Sequence, residues 1–476
     1  MKILFIYPPK NTEVLVPANF EPLGLEILAN TVISHEVKII DLRFEPISIL
    51  NKVLSYDTPD IIGISVNNTI DVNQSKRILN YIKSSNPKII TIVGGNHPTL
   101  APYDFYTSYV DAIFIGWAEK SLPKYIDFLE SNRENNLIPG IIQLRNGHPI
   151  NSKYTFSNLE SDDIPIPNRN IVRKYRNFYK NELRRKYALV NTTRGCPYRC
   201  SFCACWKAAN SRYLVRSAED VFREIVNIPL DVSYIFFADD NTFFDVSRAQ
   251  KLHELIKKSG LTKKYTGYCR SDTIVKYPDL FSNWKEIGLD NLTIGFEAVN
   301  NQKLKDLNKN NQVEINQKAV EILNDFHINF TSYFLIDPNF EKQDFQEIQN
   351  YVDHLNLIKP RFVILTPLPG TDLFEQQKKS IKLSYDSFDF MHWVVPTKLK
   401  PKEFFNSFKK LYYTSYSYRR YFKAISHNLF MKFKRVKNKE CRLDHISLLE
   451  LILLRIMALP LKRKLYRQYF VSKYFC

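Results

Sequence analysis

Short apolar runs alternating with helical patterns restrict this chain to sheets whose strands are joined by crossover helices. In the first third the runs fall at 3–7, 37–41, 61–65, 89–95 and 112–116. The rhythm lapses between about 146 and 186, where Asp163-Ile164-Pro165-Ile166-Pro167-Asn168-Arg169 reads as a proline-broken connector. It resumes at Tyr187, with strands predicted at 187–193, 234–238, 265–270, 291–296, 330–336 and 362–365. Helical patterns at 217–226, 247–259, 314–326 and 343–355 lie between them.

Five strands with crossovers suit a flavodoxin-like, Rossmann-type domain, with its ligand outside the carboxyl ends of the strands. Six further β/α units suit a partial (β/α)6 TIM-like barrel, whose chemistry belongs at the same ends of its strands. The expected α/β organisation is a nucleotide-fold domain at 1–145, a linker at 146–186, a barrel at 187–400 and a basic, mostly helical region at 401–476. The 44% hydrophobic and 14% aromatic content supplies large cores and excludes a disordered chain. Seven unevenly placed Cys are no disulfide framework, and the opening Met1-Lys2-Ile3-Leu4-Phe5 is too short and wrongly flanked for a signal peptide. A reducing, cytoplasmic location is expected.

The chemistry concentrates in Arg194-Gly195-Cys196-Pro197-Tyr198-Arg199-Cys200-Ser201-Phe202-Cys203, directly after the first barrel strand. Iron–sulfur cubanes are normally held by four Cys, so Cys196, Cys200 and Cys203 leave one iron open to another ligand. A structural zinc site wants two separated pairs of ligands, and no second pair follows. Cys205 as a fourth ligand would close the open iron, so it reads as a wall residue. Polar groups also end the apolar barrel runs: Asp239 and Asp240 the second, Arg270 the third, Glu297 the fourth. Charges are costly to bury unpaired, so their convergence at one rim points to a zwitterionic ligand, although each alone equally suits a solvated loop or cap. In the first domain Gly94-Gly95-Asn96-His97 follows a strand, where paired glycines let backbone approach a large flat ligand. Packing alone explains those glycines equally well.

With these residues in order, the chain resembles the cobalamin-binding radical S-adenosylmethionine (SAM) proteins over roughly residues 1–400. The carriers are the Cys triplet, Phe-Ala-Asp-Asp-Asn at 237–241, Cys-Arg-Ser-Asp-Thr-Ile at 269–274, Ile-Gly-Phe-Glu at 294–297 and Gly-Gly-Asn-His-Pro-Thr at 94–99. Cys203-Ala204-Cys205-Trp206-Lys207, the run 365–371 and Val395-Pro396-Thr397-Lys398-Leu399 are most similar to the hopanoid C-3 methylases. The resemblance implies a 4Fe-4S cluster on Cys196, Cys200 and Cys203. It implies SAM against Phe202, Asp239, Asp240, Arg270 and Glu297, and cobalamin against Gly94, Gly95, Asn96 and His97. The implied activity is methyl transfer from SAM, through methylcobalamin, to an unactivated carbon of a hydrophobic substrate such as a hopanoid or another polycyclic lipid. A cyclase or rearrangement enzyme without methyl transfer, and a natural-product C-methyltransferase, are the alternatives. Phe243, Phe244, Tyr268 and Trp393 are expected to keep water from the rim.

One departure stands out. The common cobalamin motif Asp-x-His-x-x-Gly places a His below cobalt, but here Asp41-Leu42-Arg43 puts an Arg there. A protonated Arg has no lone pair to donate. His35 and His97 are the substitutes to consider, though a turn or surface role suits both.

Charge is unevenly spread. Residues 401–476 hold 18 Lys and Arg against 4 Asp and Glu, leaving only about +4 of the net +18 for the rest. An apolar run at 446–459, too short to span a bilayer, sits between basic runs at 432–437 and 462–464. That arrangement suits anionic lipid headgroups at the inner face of the membrane through 430–476, more than nucleic acid. A helix packed on the barrel with solvated Lys explains it equally well. A flavodoxin- or ferredoxin-type electron donor is the other expected partner.

Overall fold

The computed structural model describes residues 1–9, 18–131, 137–150, 154–181 and 185–416. Two parallel sheets carry the fold. In the first, β1 (Lys2–Tyr7), β2 (Glu36–Asp41), β3 (Ile61–Ser65), β4 (Ile90–Gly94) and β5 (Ala112–Phe114) run parallel in the order 2-1-3-4-5. This is the flavodoxin-like order, and the reversal at β1 and β3 opens a crevice beyond their carboxyl ends. The apolar runs are unbroken because both faces are covered. Leu4 and Ile6 pack with Ile62 and Ile64 on one side, Ile3 and Phe5 with Ile61 and Ile92 on the other. Two strands escape the sequence pattern: β6 (Ile141–Arg145) joins β5 antiparallel, and β7 (His148–Pro149) joins β6.

After β8 (Tyr187–Val190) comes a short antiparallel pair, β9 (Thr193–Arg194) and β10 (Leu214–Val215). The second sheet continues with β11 (Tyr234–Phe237), β12 (Lys264–Cys269), β13 (Leu289–Glu297), β14 (Asn329–Ile336) and β15 (Pro360–Ile364). All six of its strands are parallel and neighbours follow chain order, the open arc of a partial (β/α)6 barrel. Helices Ala218–Val226, Val246–Ser259, Val313–Asp325 and Lys342–His354 bury one face each against its outside. Ser217 caps the first through Asp220 N at 3.1 Å, and Asp245 caps the second through Arg248 N at 2.9 Å.

The proline-broken connector is no free tether. Its 3-10 helix Arg169–Phe178 packs Val172 and Tyr175 into the core of the first sheet, with Tyr179 just beyond. Arg169 Nη2 meanwhile donates to Leu189 O of β8 at 2.6 Å and to Glu224 at 2.7 Å. One segment therefore grips both sheets. Among the described residues of the basic C-terminal region, helix Pro401–Ser415 packs on the barrel through Phe404, Phe405, Phe408 and Leu411. The apolar run 446–459 and its basic flanks lie outside the described residues. No helix among the described residues is long and apolar enough to cross a membrane.

Asp71, at the start of helix Val72–Ser85, has its carboxyl pushed up to about 6 by burial, against the Asn68 amide that donates to it at 3.1 Å. A raised acid favours the neutral form in the fold. Stability is therefore full below the ordinary value of 3.8 and is lost as pH rises through about 6. Asp71→Asn is expected to add about 1–3 kcal/mol at pH 7 and almost nothing at pH 3.5, read from urea unfolding at both pH values.

Candidate active site

The carboxyl ends of both sheets open into one cavity of about 490 Å³. The first sheet contributes the turns after β1, β3, β4 and β5; the barrel contributes the ends of β8 and β11 and Tyr268 of β12. Both topologies place ligands at these ends, so facing them across one space joins two half-sites.

Cys196, Cys200 and Cys203 occupy the loop between β9 and helix Cys205–Ala208. Gly195 starts that loop at φ 83°, and a Cβ there would stand 2.2 Å from Arg212 O. Only glycine fits so close a fold-back. The loop is fastened on several sides. Ser201 N donates to Leu307 O at 3.0 Å, Leu373 N to Ser201 O at 3.2 Å, Asn308 Nδ2 to Arg199 O at 2.6 Å, and Trp206 Nε1 to Cys200 O at 3.1 Å. Phe202 is half-buried beside them. Burial pushes the Cys196 thiol up to about 11 and raises Cys200, the latter against the nearby Lys309 and Arg270. Cys203 is held down, chiefly by a hydrogen bond from the Cys205 side chain and then by the Cys205 N–H. Among the described residues no three His, Cys, Asp or Glu converge on a point that would hold a single ion. A cubane asks for something different, since each thiolate binds its own iron at a separate corner. Three thiols on one pinned loop are a donor set that fits such a cluster.

The rim acids divide in role. Asp239 Oδ1 accepts from Thr192 N at 2.7 Å and Thr193 N at 2.9 Å, and its Oδ2 accepts from Thr192 Oγ1 at 2.6 Å. It thus staples the end of β8, from which the cysteine loop departs. Asp240 lines the cavity, its carboxyl raised by burial against hydrogen bonds from Cys205 and the Gly195 N–H. Arg270 pairs with Asp272 at 2.8 Å, lies 3.6 Å over the Tyr198 ring and donates to Lys309 O and Asn310 O, both at 3.0 Å. Glu297 is buried, at φ 64°, and accepts from Lys309 Nζ at 2.8 Å. Lys309 carried no signal in the strand pattern, because it stands on a loop beyond the rim. Of the expected water-excluding aromatics, Tyr268 lines the cavity and Phe244 is partly exposed. Phe243 and Trp393 do not line it; each is buried from a loop into the barrel's outer core, against Trp284 and Phe404 respectively. Phe20, Trp117 and Phe236 line the cavity as well, the first two from loops without periodicity.

On the first sheet, Gly94, Gly95 and Asn96 border the cavity. Gly95 has φ 117°, and a Cβ would come within 2.6 Å of Val66 O. At Gly24, also on the wall, a Cβ would meet nothing within 4 Å, so that side chain's absence keeps the space open. These cradles fit a large flat ligand such as cobalamin. Gly95→Ala is expected to weaken cobalamin retention about 10- to 100-fold through strain and clash, read by absorbance after gel filtration. His97 points elsewhere. Its ring lies between Thr69 Oγ1 at 3.1 Å and Asp104 Oδ2 at 2.9 Å, leaving neither nitrogen for a metal. His35 sits beside the Met1 amino group at 3.3 Å, at the opposite ends of the strands. Arg43 is locked in a buried fork on Asp41, with contacts of 2.8 and 2.6 Å. It lies 4.1 Å from the ring of Tyr7, itself on the cavity wall.

Family profiles match the chain in two places: the B12 binding domain at 14–126 and the radical SAM superfamily at 190–352. The hopanoid C-3 methylase of Methylococcus capsulatus is 26% identical over 416 residues, covering 86% of this chain and 79% of that protein. The anaerobic magnesium-protoporphyrin IX monomethyl ester cyclase of Rubrivivax gelatinosus is 24% identical over 463 residues, or 93% and 80%. Among solved structures, the cobalamin-dependent SAM radical enzyme OxsB with aqua-cobalamin and SAM bound superposes at TM-score 0.71. It shares 17% identity and covers 99% of this chain and 81% of its own, a likeness of fold.

Proposed function

For a chain that belongs to the cobalamin-binding radical SAM superfamily, we propose C-methylation of an unactivated carbon in a hydrophobic, polycyclic substrate, a hopanoid or a related lipid. The observation that carries this reading is the shared cavity, where the Gly94–Gly95 turn and both flanks of the cysteine loop meet. An inert C–H bond offers no acid or base handle. When bound, the cluster supplies the electron that splits SAM, and cobalamin carries the methyl group.

The protein's own contribution is placement and exclusion. Asp239, through Thr192 and Thr193, fixes where the cysteine loop leaves the barrel. Asp240, on the cavity wall, offers a carboxyl partner to the ammonium of SAM, while Arg270 and Glu297, which do not line that wall and are paired with Asp272 and Lys309, brace the loop beside the cysteines. Phe20, Trp117, Phe236 and Tyr268 give the cavity apolar walls suited to a hydrocarbon skeleton and hold water away from reactive species.

A second reading, cyclisation without methyl transfer, draws on the cyclase relative that spans most of the chain. Anaerobic reconstitution with iron, sulfide, cobalamin, SAM and a hopanoid-containing lipid extract separates the two. Methyl transfer yields S-adenosylhomocysteine and 5′-deoxyadenosine together with a product heavier by one CH2. Deoxyadenosine without S-adenosylhomocysteine would replace it with cyclisation. The electrons would come from a flavodoxin- or ferredoxin-type donor. The basic stretch 430–476 would bring the enzyme to anionic membrane, where such substrates reside. Unchanged liposome flotation after deletion of 430–476 would end that last idea.

A further inference from the structure

The loop 307–310 is pressed against the cysteine loop by two bonds, Ser201 N to Leu307 O at 3.0 Å and Asn308 Nδ2 to Arg199 O at 2.6 Å. It carries Lys309, a buried cation whose Nζ meets Glu297 Oε1 at 2.8 Å, both side chains being 9% exposed. The pair is assembled under constraint. Glu297 adopts φ 64°, a left-handed conformation that strains a non-glycine residue. Its carboxylate folds back over Gly295, where a Cβ would stand 2.0 Å from Glu297 Oε1 and 3.0 Å from Lys309 Nζ. Arg270 braces the loop from below by donating to Lys309 O and Asn310 O. Asn308 and Asn310 turn the chain tightly on either side, each at φ 49°.

The orientation of this pair matters more than its existence. Lys309 stands on the loop that is bonded to the cysteine loop at its neighbours Leu307 and Asn308, whereas Glu297 ends β13; in keeping with this, the Lys309 charge bears on Cys200 ahead of that of Glu297. The positive end of the buried dipole therefore faces the cluster loop. A cubane on three thiolates is anionic, and reduction adds a further negative charge. Nearby charge and solvent exclusion set how readily such a cluster is reduced. In a buried site a fixed cation is screened far less than in water.

We propose that Lys309, held by Glu297 over Gly295, is a positioning residue that raises the reduction potential of the cluster on Cys196, Cys200 and Cys203. This rests on the proposed function only in requiring that cluster. The test is a dye-mediated redox titration of the anaerobically reconstituted full-length protein, followed by electron paramagnetic resonance, without SAM or substrate. Lys309→Met is expected to lower the reduced-to-oxidised ratio at a fixed potential about tenfold, a shift of about 59 mV for a one-electron couple. Lys309→Arg should stay within about twofold of the unaltered protein, since it restores the charge. Glu297→Gln, which unmasks the lysine, should move the ratio the other way. If Lys309→Met loses its cluster through misfolding, the double variant E297Q/K309M, which leaves no buried carboxylate behind, is measured in its place and should move in the same direction by less. An unchanged midpoint in a cluster-loaded Lys309→Met or E297Q/K309M protein overturns the proposal, as does a charge-retaining Arg variant that fails to restore it. A reducible cluster missing from the unaltered protein would instead remove the proposed function itself.

Discussion

Cys200→Ala reduces 5′-deoxyadenosine formation to below about 1% of the unaltered protein, whereas Cys205→Ala keeps its iron and most of that activity; this pair of outcomes is the expected result. The two residues are both thiols on the same turn, and the geometry separates them. Cys200 is buried, its carbonyl is held by the Trp206 indole, and the charges of Lys309 and Arg270 bear on its sulfur. Cys205 begins the next helix, lines the cavity and spends its hydrogen bonds on Cys203 and Asp240. Removing Cys200 leaves a cluster two thiolates at most, which does not hold a cubane together against loss of iron. Removing Cys205 takes away a hydrogen bond and a wall atom. Iron and sulfide content, the electron paramagnetic resonance signal and chromatography of deoxyadenosine check both variants together. If Cys205→Ala loses the cluster as completely as Cys200→Ala, four thiolates fill the irons and no corner is left to bind SAM.

The strands and the cysteine loop were legible because each is written in neighbouring residues. Period and apolar length mark β1 and β8 regardless of what lies across from them, and three Cys within eight positions need no partner elsewhere to be read. The shared cavity was legible only by halves, as carboxyl ends of two separate sheets. Its closure depends on Phe20 and Trp117, which sit in loops where hydrophobicity has no period. Asp239 illustrates a subtler limit. Its position at a strand end marks it as polar, but whether such a carboxylate faces solvent, a ligand or the backbone of Thr192 and Thr193 is decided by neighbours 47 and 46 residues away. His97 is similar: a histidine after Gly94–Gly95 faces the ligand or the protein according to where Thr69 and Asp104 fall. Lys309 left no trace because its partner Glu297, its brace Arg270 and the loop it serves come from three different β/α units.

The same dependence on distant partners makes the junction between the two sheets the place where one atom should cost most stability. Glu21 is 3% exposed and accepts from Leu189 N of β8 at 2.6 Å, while its other oxygen pairs with Arg176 and Arg169 Nε lies 3.5 Å away. Arg169 continues to Glu224, and Glu224 to Arg216, both within 2.7 Å, so a chain of alternating charges runs from the first sheet into the barrel. Breaking a buried pair by removing one partner costs about 3–5 kcal/mol, because the other charge is left without compensation. Glu21→Gln takes the carboxylate from Arg176 and leaves Arg169 with Glu224 alone, and it is expected to cost that much in denaturant unfolding, and to speed amide exchange along β8. Glu26, one helical turn away, should behave differently. Burial, reinforced by Glu21, raises its carboxyl well above the usual range; Arg176 stands 3.8 Å off, and no hydrogen bond among the described residues reaches either oxygen. Burial thus favours its neutral form in the fold, and Glu26→Gln, which puts a neutral amide in its place, should change stability by less than about 1 kcal/mol. Lys38→Ala, at an exposed pair with Glu36 and Asp57, should cost no more than about 1 kcal/mol. Equal losses in Glu21→Gln and Glu26→Gln would mean that packing volume, and not the alternating charges, joins the two sheets around the cavity.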